Sequence, residues 1–130
     1  MQSSSAMLAN RVRVLIVDDS EEATELLALM IARRGHQVRV AHDVETALRA
    51  AIEFNPQVAL LDIMIRCESG YFLGSRLLEI PGLECCRLIA MSGFSLEQHR
   101  ALSEAIGFRR QLSKPIEPAG LFEAIEALDN

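Results

Sequence analysis

The sequence predicts an α/β domain built on a doubly wound parallel sheet. Two observations lead to this fold class: short apolar segments alternate with amphipathic segments along the chain, and turn residues separate them. The apolar segments have the length of strands, and the amphipathic ones have the spacing of helices. Five such strand–helix repeats predict a parallel sheet with helices on both faces and right-handed connections.

The five predicted strands differ in polarity, and this difference predicts their places in the sheet. The first, third and fourth are almost continuously apolar, as expected of strands that are covered on both faces. The second and fifth are more polar, so we expect them at the two edges. In chain order the predicted strands span residues 12–17, 37–41, 57–61, 87–91 and 108–112.

Helix signals lie between the predicted strands. Ser20, followed by two glutamates, indicates a helix start, and Asp43 is a second predicted N-cap. Gly35, Asn55 and Gly107 are typical residues for helix ends. The expected buried faces are three apolar stripes at helical spacing: Leu26, Leu27, Met30 and Ile31; Val44, Ala47, Leu48, Ala51 and Ile52; and Leu121, Phe122, Ile125 and Leu128.

Composition narrows the class of protein. The 130 residues are the size of one domain, and the net charge of −5 argues against a nucleic-acid-binding face. The longest apolar runs fall short of the roughly 20 residues that span a bilayer, so we expect no membrane insertion. We interpret the Ser-rich residues 1–10 as a disordered leader or a remnant of cloning, because they lack the features of a signal peptide. Residues 11–130 then form a single domain.

The three cysteines, Cys67, Cys85 and Cys86, are odd in number and form no metal-binding or disulfide pattern. They favour free thiols in a reducing compartment, and we therefore expect a cytoplasmic protein. Redox sensing at Cys67 is the less favoured alternative.

Chemically active side chains follow four of the five predicted strands. Asp18 and Asp19 follow the first strand, Asp62 the third, Ser92 the fourth and Lys114 the fifth. In an open sheet of this class the functional crevice lies beyond the carboxyl ends of the strands. Taken singly, each residue is better explained as a helix cap or a turn, but their joint placement predicts one site.

The chemistry of this set is that of phosphoryl transfer. Clustered carboxylates repel one another unless a cation lies between them, and Mg²⁺ prefers oxygen ligands. One carboxylate can then attack phosphorus and form an aspartyl phosphate. A hydroxyl can donate a hydrogen bond to one of the remaining phosphoryl oxygens, and an ammonium group can neutralise another.

With these residues in place, the sequence resembles the CheY-like response-regulator receiver domains of two-component signalling. The resemblance runs from Val12 to about Leu128 and implies a flavodoxin-like fold with strand order 2-1-3-4-5. The matching stretches are Val-Leu-Ile-Val-Asp-Asp at 14–19, Leu-Leu-Asp-Ile at 60–63, Gly70, Ile-Ala-Met-Ser-Gly at 89–93 and Lys-Pro at 114–115.

The resemblance implies a role for each acidic residue. Asp62 is the expected phosphoacceptor, and Mg²⁺ (or Mn²⁺) is the expected metal. Asp19 would bind the metal directly, Asp18 would hold a metal-bound water, and the backbone carbonyl of Met64 would complete the protein's share of the ligands. These assignments rest on the resemblance and not on spacing alone.

The resemblance also implies partners for the phosphoryl group. A histidine kinase or a histidine phosphotransfer protein would donate it, while the downstream partner and the oligomeric state are not implied. Ser92 would move toward the phosphoryl group, and Lys114 would pair with it. The bond between Lys114 and Pro115 is an expected cis peptide.

Two departures from the family concern rigidity and signal output. Arg66 stands where the family often has proline, which predicts a less rigid loop after Asp62. Gln111 stands where the family often has Tyr or Phe, so an aromatic switch cannot operate at that position.

A third departure concerns phosphate loss. Met64 and Phe94, two residues past Asp62 and Ser92, flank the expected phosphoryl group in the family. Both are apolar and neither orients a water molecule, so we expect slow self-dephosphorylation.

The sequence leaves other classes open. The main alternative is a phosphorylation-independent interaction module, a pseudo-receiver with the same fold. A dehalogenase-type phosphatase fits less well, because Ser20 follows Asp18 and Asp19 where Asp-x-Asp is usual. A flavin or nucleotide site is disfavoured, since no Gly-rich loop follows the first strand. We therefore expect a signalling domain and not an enzyme beyond its own phosphoryl transfer and slow autodephosphorylation.

Overall fold

The computed structural model describes residues 11–65, 68–93 and 99–127. Strands and helices alternate along these ranges, as the sequence predicts. In chain order they are β1 (Arg13–Val17), α1 (Glu21–Arg33), β2 (Gln37–Ala41), α2 (Val44–Phe54), β3 (Val58–Asp62), β4 (Met64–Ile65), β5 (Glu68–Ser69), α3 (Gly70–Leu78), β6 (Arg87–Ser92), α4 (Arg100–Ile106), β7 (Phe108–Ser113) and α5 (Pro118–Glu126).

Five strands form one parallel sheet in the order β2-β1-β3-β6-β7. This is the expected order 2-1-3-4-5 once the short strands β4 and β5 are set aside. The two polar strands, β2 and β7, lie at the edges as predicted, and each of the five strands begins and ends within one residue of its predicted bounds.

The sheet buries a core on each face. Leu15 and Val17 of β1 pack on the face that α2, α3 and α4 cover, while Val14 and Ile16 pack on the face of α1 and α5. This alternation follows from the two-residue period of a strand, and all four side chains are fully buried. The doubly wound arrangement is therefore confirmed.

Local side-chain chemistry fixes the helix ends. Ser20 Oγ accepts a hydrogen bond from the backbone N–H of Ala23 at 3.2 Å, and Asp43 Oδ1 accepts one from that of Thr46 at 2.8 Å, so both predicted N-caps are confirmed. Asn55 ends α2 in the left-handed conformation with φ of 56°.

Two residues of the predicted stripes do not face the core. Leu26 and Ile52 are 59% and 65% exposed, while their neighbours Leu27 and Ala51 are buried. Each lies at the border of its stripe, where a helix turns its side chains from the sheet toward solvent.

The sequence did not predict the antiparallel hairpin of β4 and β5, in which Met64 pairs with Ser69 and Ile65 with Glu68. Strands of two residues are too short to show an alternating pattern. Within the described ranges, no helix is long and apolar enough to cross a membrane. The expectations for residues 1–10, Arg66, Cys67, Phe94 and Leu128 fall outside the described residues.

Candidate functional site

The expected site residues meet at the carboxyl end of the sheet. Asp18 and Asp19 directly follow β1, and Asp62 and Ser92 are the last residues of β3 and β6. Lys114 follows β7, and its backbone N–H donates to the carbonyl oxygen of Ser92 at 2.7 Å. Parallel pairing brings these strand ends to one edge because all five strands run in the same direction.

The three aspartates form an acidic cluster. One carboxylate oxygen from each of Asp18, Asp19 and Asp62 lies within 4.8 Å of the other two. Asp18 and Asp62 are only 1% and 7% exposed, whereas Asp19 faces solvent. Neighbouring backbone groups help to hold Asp18 in place: its Oδ1 accepts from the Ser20 N–H at 3.0 Å, and its own N–H donates to the carbonyl oxygen of Ala41.

Lys114 joins the two buried carboxylates. Its Nζ donates to Asp18 Oδ2 at 2.8 Å and lies 3.3 Å from Asp62 Oδ2. The sequence predicted that Lys114 belongs to the site but not that it pairs with Asp18, because the two are 96 residues apart. The ammonium group therefore already lies where negative charge is concentrated.

The electrostatics of Asp62 reflect this crowding. Burial raises the pKa of Asp62, and the nearby Asp18 carboxylate raises it further. The Lys114 ammonium and the Met64 N–H, which donates to Asp62 Oδ1 at 3.3 Å, lower that pKa without cancelling the rise. Burial alone lowers the pKa of Lys114, but its contacts with Asp18 and Asp62 outweigh this, so that pKa is raised.

The donor set fits a hard divalent cation. Three carboxylates and the Lys114 ammonium together carry a net negative charge, and carboxylate oxygens are the ligands that Mg²⁺ prefers. The raised pKa of Asp62 points the same way, since a cation among the three carboxylates would relieve their repulsion.

The other expected residues follow from the same strands. Ser92 is buried at the end of β6, and Gln111 lies on β7 opposite Ala90. The side chain of Met64 is 61% exposed, so most of it is open to solvent. Phe94, the second residue expected to affect hydrolysis, lies outside the described residues.

Gly70 supports the site in a way that the sequence motif alone did not explain. A Cβ atom at this position would lie 2.0 Å from the carbonyl oxygen of Asp62, so only glycine fits. The Gly70 N–H also donates to the carbonyl of Ile63 at 2.7 Å. The start of α3 is thereby held against the backbone of the expected phosphoacceptor.

An apolar groove beside the site was not predicted. It has a volume of about 200 Å³, and its lining includes Asp18 and Lys114 of the site, Leu26 and Met30 of α1, and Ile116. The sequence analysis placed Leu26 in a buried stripe, whereas in the structure it is exposed beside the groove.

Comparison with known proteins agrees with this geometry. The family model described as "Response regulator receiver domain" matches residues 14–126. Transcriptional regulatory protein GltR of Pseudomonas aeruginosa is 33% identical over 122 residues, which cover 94% of this chain and 50% of that protein. The chain thus spans about half the length of that relative.

Two further relatives are matched along nearly their whole length. Protein PilH of Pseudomonas aeruginosa is 28% identical over 116 residues, which cover 89% of this chain and 96% of PilH. The crystal structure of the Vibrio cholerae chemotaxis protein CheY4 has a TM-score of 0.86 at 19% identity and covers 92% of this chain and 99% of its own, which shows a shared fold. On the family match and this geometry, the chain belongs to the response regulator receiver domain family.

Proposed function

We propose that Asp62 accepts a phosphoryl group from a phosphohistidine in a Mg²⁺-dependent reaction and that the domain acts as a signalling switch. One observation carries this proposal: the Asp62 carboxylate lies 3.3 Å from Lys114 Nζ and within 4.8 Å of oxygens from Asp18 and Asp19. A nucleophile, a fixed cation and a set of metal ligands therefore share one edge of the sheet. The donor is a histidine kinase or a histidine phosphotransfer protein, and we place the reaction in the cytoplasm.

Each residue of the site has a separate role in the transfer. An Asp62 carboxylate oxygen attacks phosphorus while the phosphorus–nitrogen bond of the donor breaks, leaving the electron pair on the imidazole. Lys114 Nζ contacts one phosphoryl oxygen, and the Ser92 hydroxyl donates to another. A bound Mg²⁺ supplies charge neutralisation for the transferred group. Asp19, Asp62 and the Met64 carbonyl would hold that ion directly, and Asp18 would hold it through water.

The apolar groove beside Lys114 supports a protein as the donor. It opens next to the buried Asp18 and exposes Leu26, which is 59% accessible. An apolar side chain of the donor could fill the groove while its phosphohistidine reaches Asp62. A small phosphodonor would make no use of these contacts.

Incubation with acetyl phosphate and Mg²⁺, followed by intact-mass measurement, tests the proposal. We expect the mass to increase by one phosphoryl group, with the increase lost in Asp62→Asn and after removal of Mg²⁺ with a chelator. Mn²⁺ should restore the reaction. Glu45→Gln is the matched control, because Glu45 is an exposed carboxylate on α2. An unchanged wild-type mass would contradict the proposal and favour the phosphorylation-independent interaction module.

A further inference from the structure

A closed circuit of contacts lies beside the acidic cluster and joins the end of β2 to the first turn of α1. It starts and ends at Asp18 and includes Ser20, Thr24, Ala41 and His42, and we call it the hydrogen-bond ring. Neither Thr24 nor His42 takes part in the phosphoryl transfer proposed above. The ring nevertheless connects both of them to the segment that carries the metal-binding aspartates.

Two contacts of Asp18 hold the segment that follows β1. The backbone N–H of Asp18 donates to the carbonyl oxygen of Ala41 at 3.3 Å, and Asp18 Oδ1 accepts from the backbone N–H of Ser20 at 3.0 Å. Asp19 lies between these two anchored residues. Its side chain faces solvent, but its backbone is therefore restrained from both sides.

Thr24 extends the ring from this segment to His42. The backbone N–H of Thr24 donates to the carbonyl oxygen of Ser20 at 3.1 Å, and its hydroxyl oxygen lies 3.1 Å from His42 Nε2. Thr24 is only 1% exposed, so water does not compete for the contact with His42. Because His42 directly follows Ala41, this contact closes the ring.

The direction of the bond between Thr24 and His42 follows from the single hydrogen of the hydroxyl group. Two backbone carbonyl oxygens lie within reach of that hydrogen, those of Ser20 at 3.3 Å and Glu21 at 3.0 Å. Donation to one of these carbonyls leaves the Thr24 oxygen as an acceptor. We therefore assign the donor role to the N–H at His42 Nε2, on the basis of the surrounding hydrogen bonds.

We propose that His42 and Thr24 are positioning residues, which hold Asp18 and Asp19 in the arrangement that binds a divalent cation. This inference rests on the proposed function, in which Asp19 binds the ion directly and Asp18 through water. Carboxylate oxygens of both residues lie within 4.8 Å of an oxygen of Asp62. Supporting hydrogen bonds strengthen metal binding because they order the ligands before the ion arrives.

Isothermal titration calorimetry of the full chain with Mg²⁺ tests the proposal. His42→Asn has a side chain too short to reach Thr24, and Thr24→Val keeps the shape but lacks the hydroxyl. We expect each to weaken Mg²⁺ binding about tenfold, the low end of the loss that such supporting bonds cause. The double variant should bind no more weakly than either single one, because both changes remove the same bond.

Conservative variants and a matched control make the result specific. His42→Gln places an amide N–H where His42 has Nε2, and Thr24→Ser keeps the hydroxyl, so both should bind Mg²⁺ nearly as the wild type does. Thr46→Val is the control, since the Thr46 hydroxyl donates to Asp43 at 2.6 Å in the first turn of α2 and takes no part in the ring. We expect its Mg²⁺ affinity to stay unchanged.

Two further readouts separate positioning from a general loss of structure. Without Mg²⁺, the backbone amides of Asp18 and Ser20 should exchange faster in His42→Asn than in the wild type, as measured by NMR. With acetyl phosphate, the Mg²⁺ concentration for half-maximal phosphorylation should rise about tenfold in that variant. The rate at saturating Mg²⁺ should stay within about twofold, because Asp62 and Lys114 are unchanged.

Several results would overturn the proposal. These are equal Mg²⁺ affinity in His42→Asn and the wild type, no restoration by His42→Gln or Thr24→Ser, and a loss in Thr46→Val as large as that in His42→Asn. A wild type that binds no Mg²⁺ would contradict the proposed function itself. In that case amide exchange decides about the ring, and unchanged exchange at Asp18 and Ser20 would refute it.

Discussion

At the scale of single residues, Gly70 combines a backbone constraint with a functional position. The missing Cβ allows the first residue of α3 to approach the Asp62 carbonyl, where an added carbon would lie 2.0 Å from the oxygen. A contact this close cannot be relieved by rotating a side chain, because the atom it meets belongs to the backbone. The position of the Asp62 backbone therefore depends on a residue that has no side chain.

We predict that Gly70→Ala lowers the free energy of unfolding by about 1–3 kcal/mol, the usual cost of overpacking, and slows phosphorylation by acetyl phosphate. Gly120→Ala is the matched control, since a Cβ there meets nothing within 4 Å. In the α5 helix that substitution should be neutral or stabilising by up to ~1 kcal/mol. Urea unfolding and the rate of mass gain measure both effects, and equal stability of the two variants would contradict the explanation.

Met64 leads to a prediction about phosphate lifetime. Its side chain is 61% exposed at the edge of the site and carries no group that positions a water molecule. We expect Met64→Asn combined with Phe94→Glu to speed loss of the phosphoryl group from Asp62 by about tenfold or more. General acid–base catalysis usually contributes about a hundredfold or more, so a tenfold increase is a cautious expectation. The measurement is the decay of the phosphorylated mass after removal of acetyl phosphate. The hypothesis of slow hydrolysis fails if both proteins decay at the same rate.

At the scale of elements, α5 is tied down at its C-terminal end by Arg87 of β6. The Arg87 guanidinium donates to the carbonyl oxygen of Ile125 at 2.9 Å and to that of Ala127. These are carbonyls that a helix leaves without an internal partner, and the positive charge also opposes the negative end of the helix dipole. A side chain of β6 thus caps the C-terminal end of α5.

Replacing Arg87 by Met keeps the aliphatic stem and removes the cap. We predict a loss of about 1–2 kcal/mol of stability together with faster hydrogen exchange in the last turn of α5. Arg33→Met removes an exposed arginine from the last turn of α1 and should lower the stability by only a few tenths of the loss expected for Arg87→Met. Hydrogen exchange by mass spectrometry separates the two, and unchanged exchange in α5 would refute the capping role.

At the scale of the whole molecule, stability and the proposed function oppose each other at Asp62. The pKa of this carboxyl is raised by burial and by Asp18, so its ionisation costs free energy of folding. The cost is absent at acid pH, where the carboxyl is neutral, and it appears as the pH rises through the raised pKa. Asparagine, a neutral residue of the same shape, would not carry this cost of ionisation.

Without Mg²⁺, we therefore predict that Asp62→Asn unfolds at a higher temperature than the wild type at neutral pH and that this difference shrinks in acid. Saturating Mg²⁺ should stabilise the wild type, by about 2.7 kcal/mol at one hundred times its Kd, and stabilise the variant much less. Differential scanning calorimetry with and without Mg²⁺ measures both. A variant that is less stable than the wild type at neutral pH, or that gains as much from Mg²⁺, would contradict this account.

The sequence predicts much of this molecule because its signals are local. Strand bounds, edge strands, N-caps at Ser20 and Asp43 and the aspartates at the strand ends all follow from short patterns. Contacts between distant segments were missed: the Lys114–Asp18 pair, the Arg87 cap and the bulge at Arg109 depend on how separate elements meet. No local sequence pattern encodes contacts between distant segments. The two-residue strands of the β4–β5 hairpin are also too short to show an alternating pattern.

The bond between Asp18 and Lys114 has a consequence for biosynthesis. It connects the segment after the first strand to the segment after the last, 96 residues later. A nascent chain that has emerged only as far as β3 contains Asp18 and Asp62 but not Lys114, the ammonium group that pairs with them in the folded domain. If Asp62 accepts a phosphoryl group as proposed, a chain can do so only after β7 has joined the sheet and brought Lys114 to Asp18.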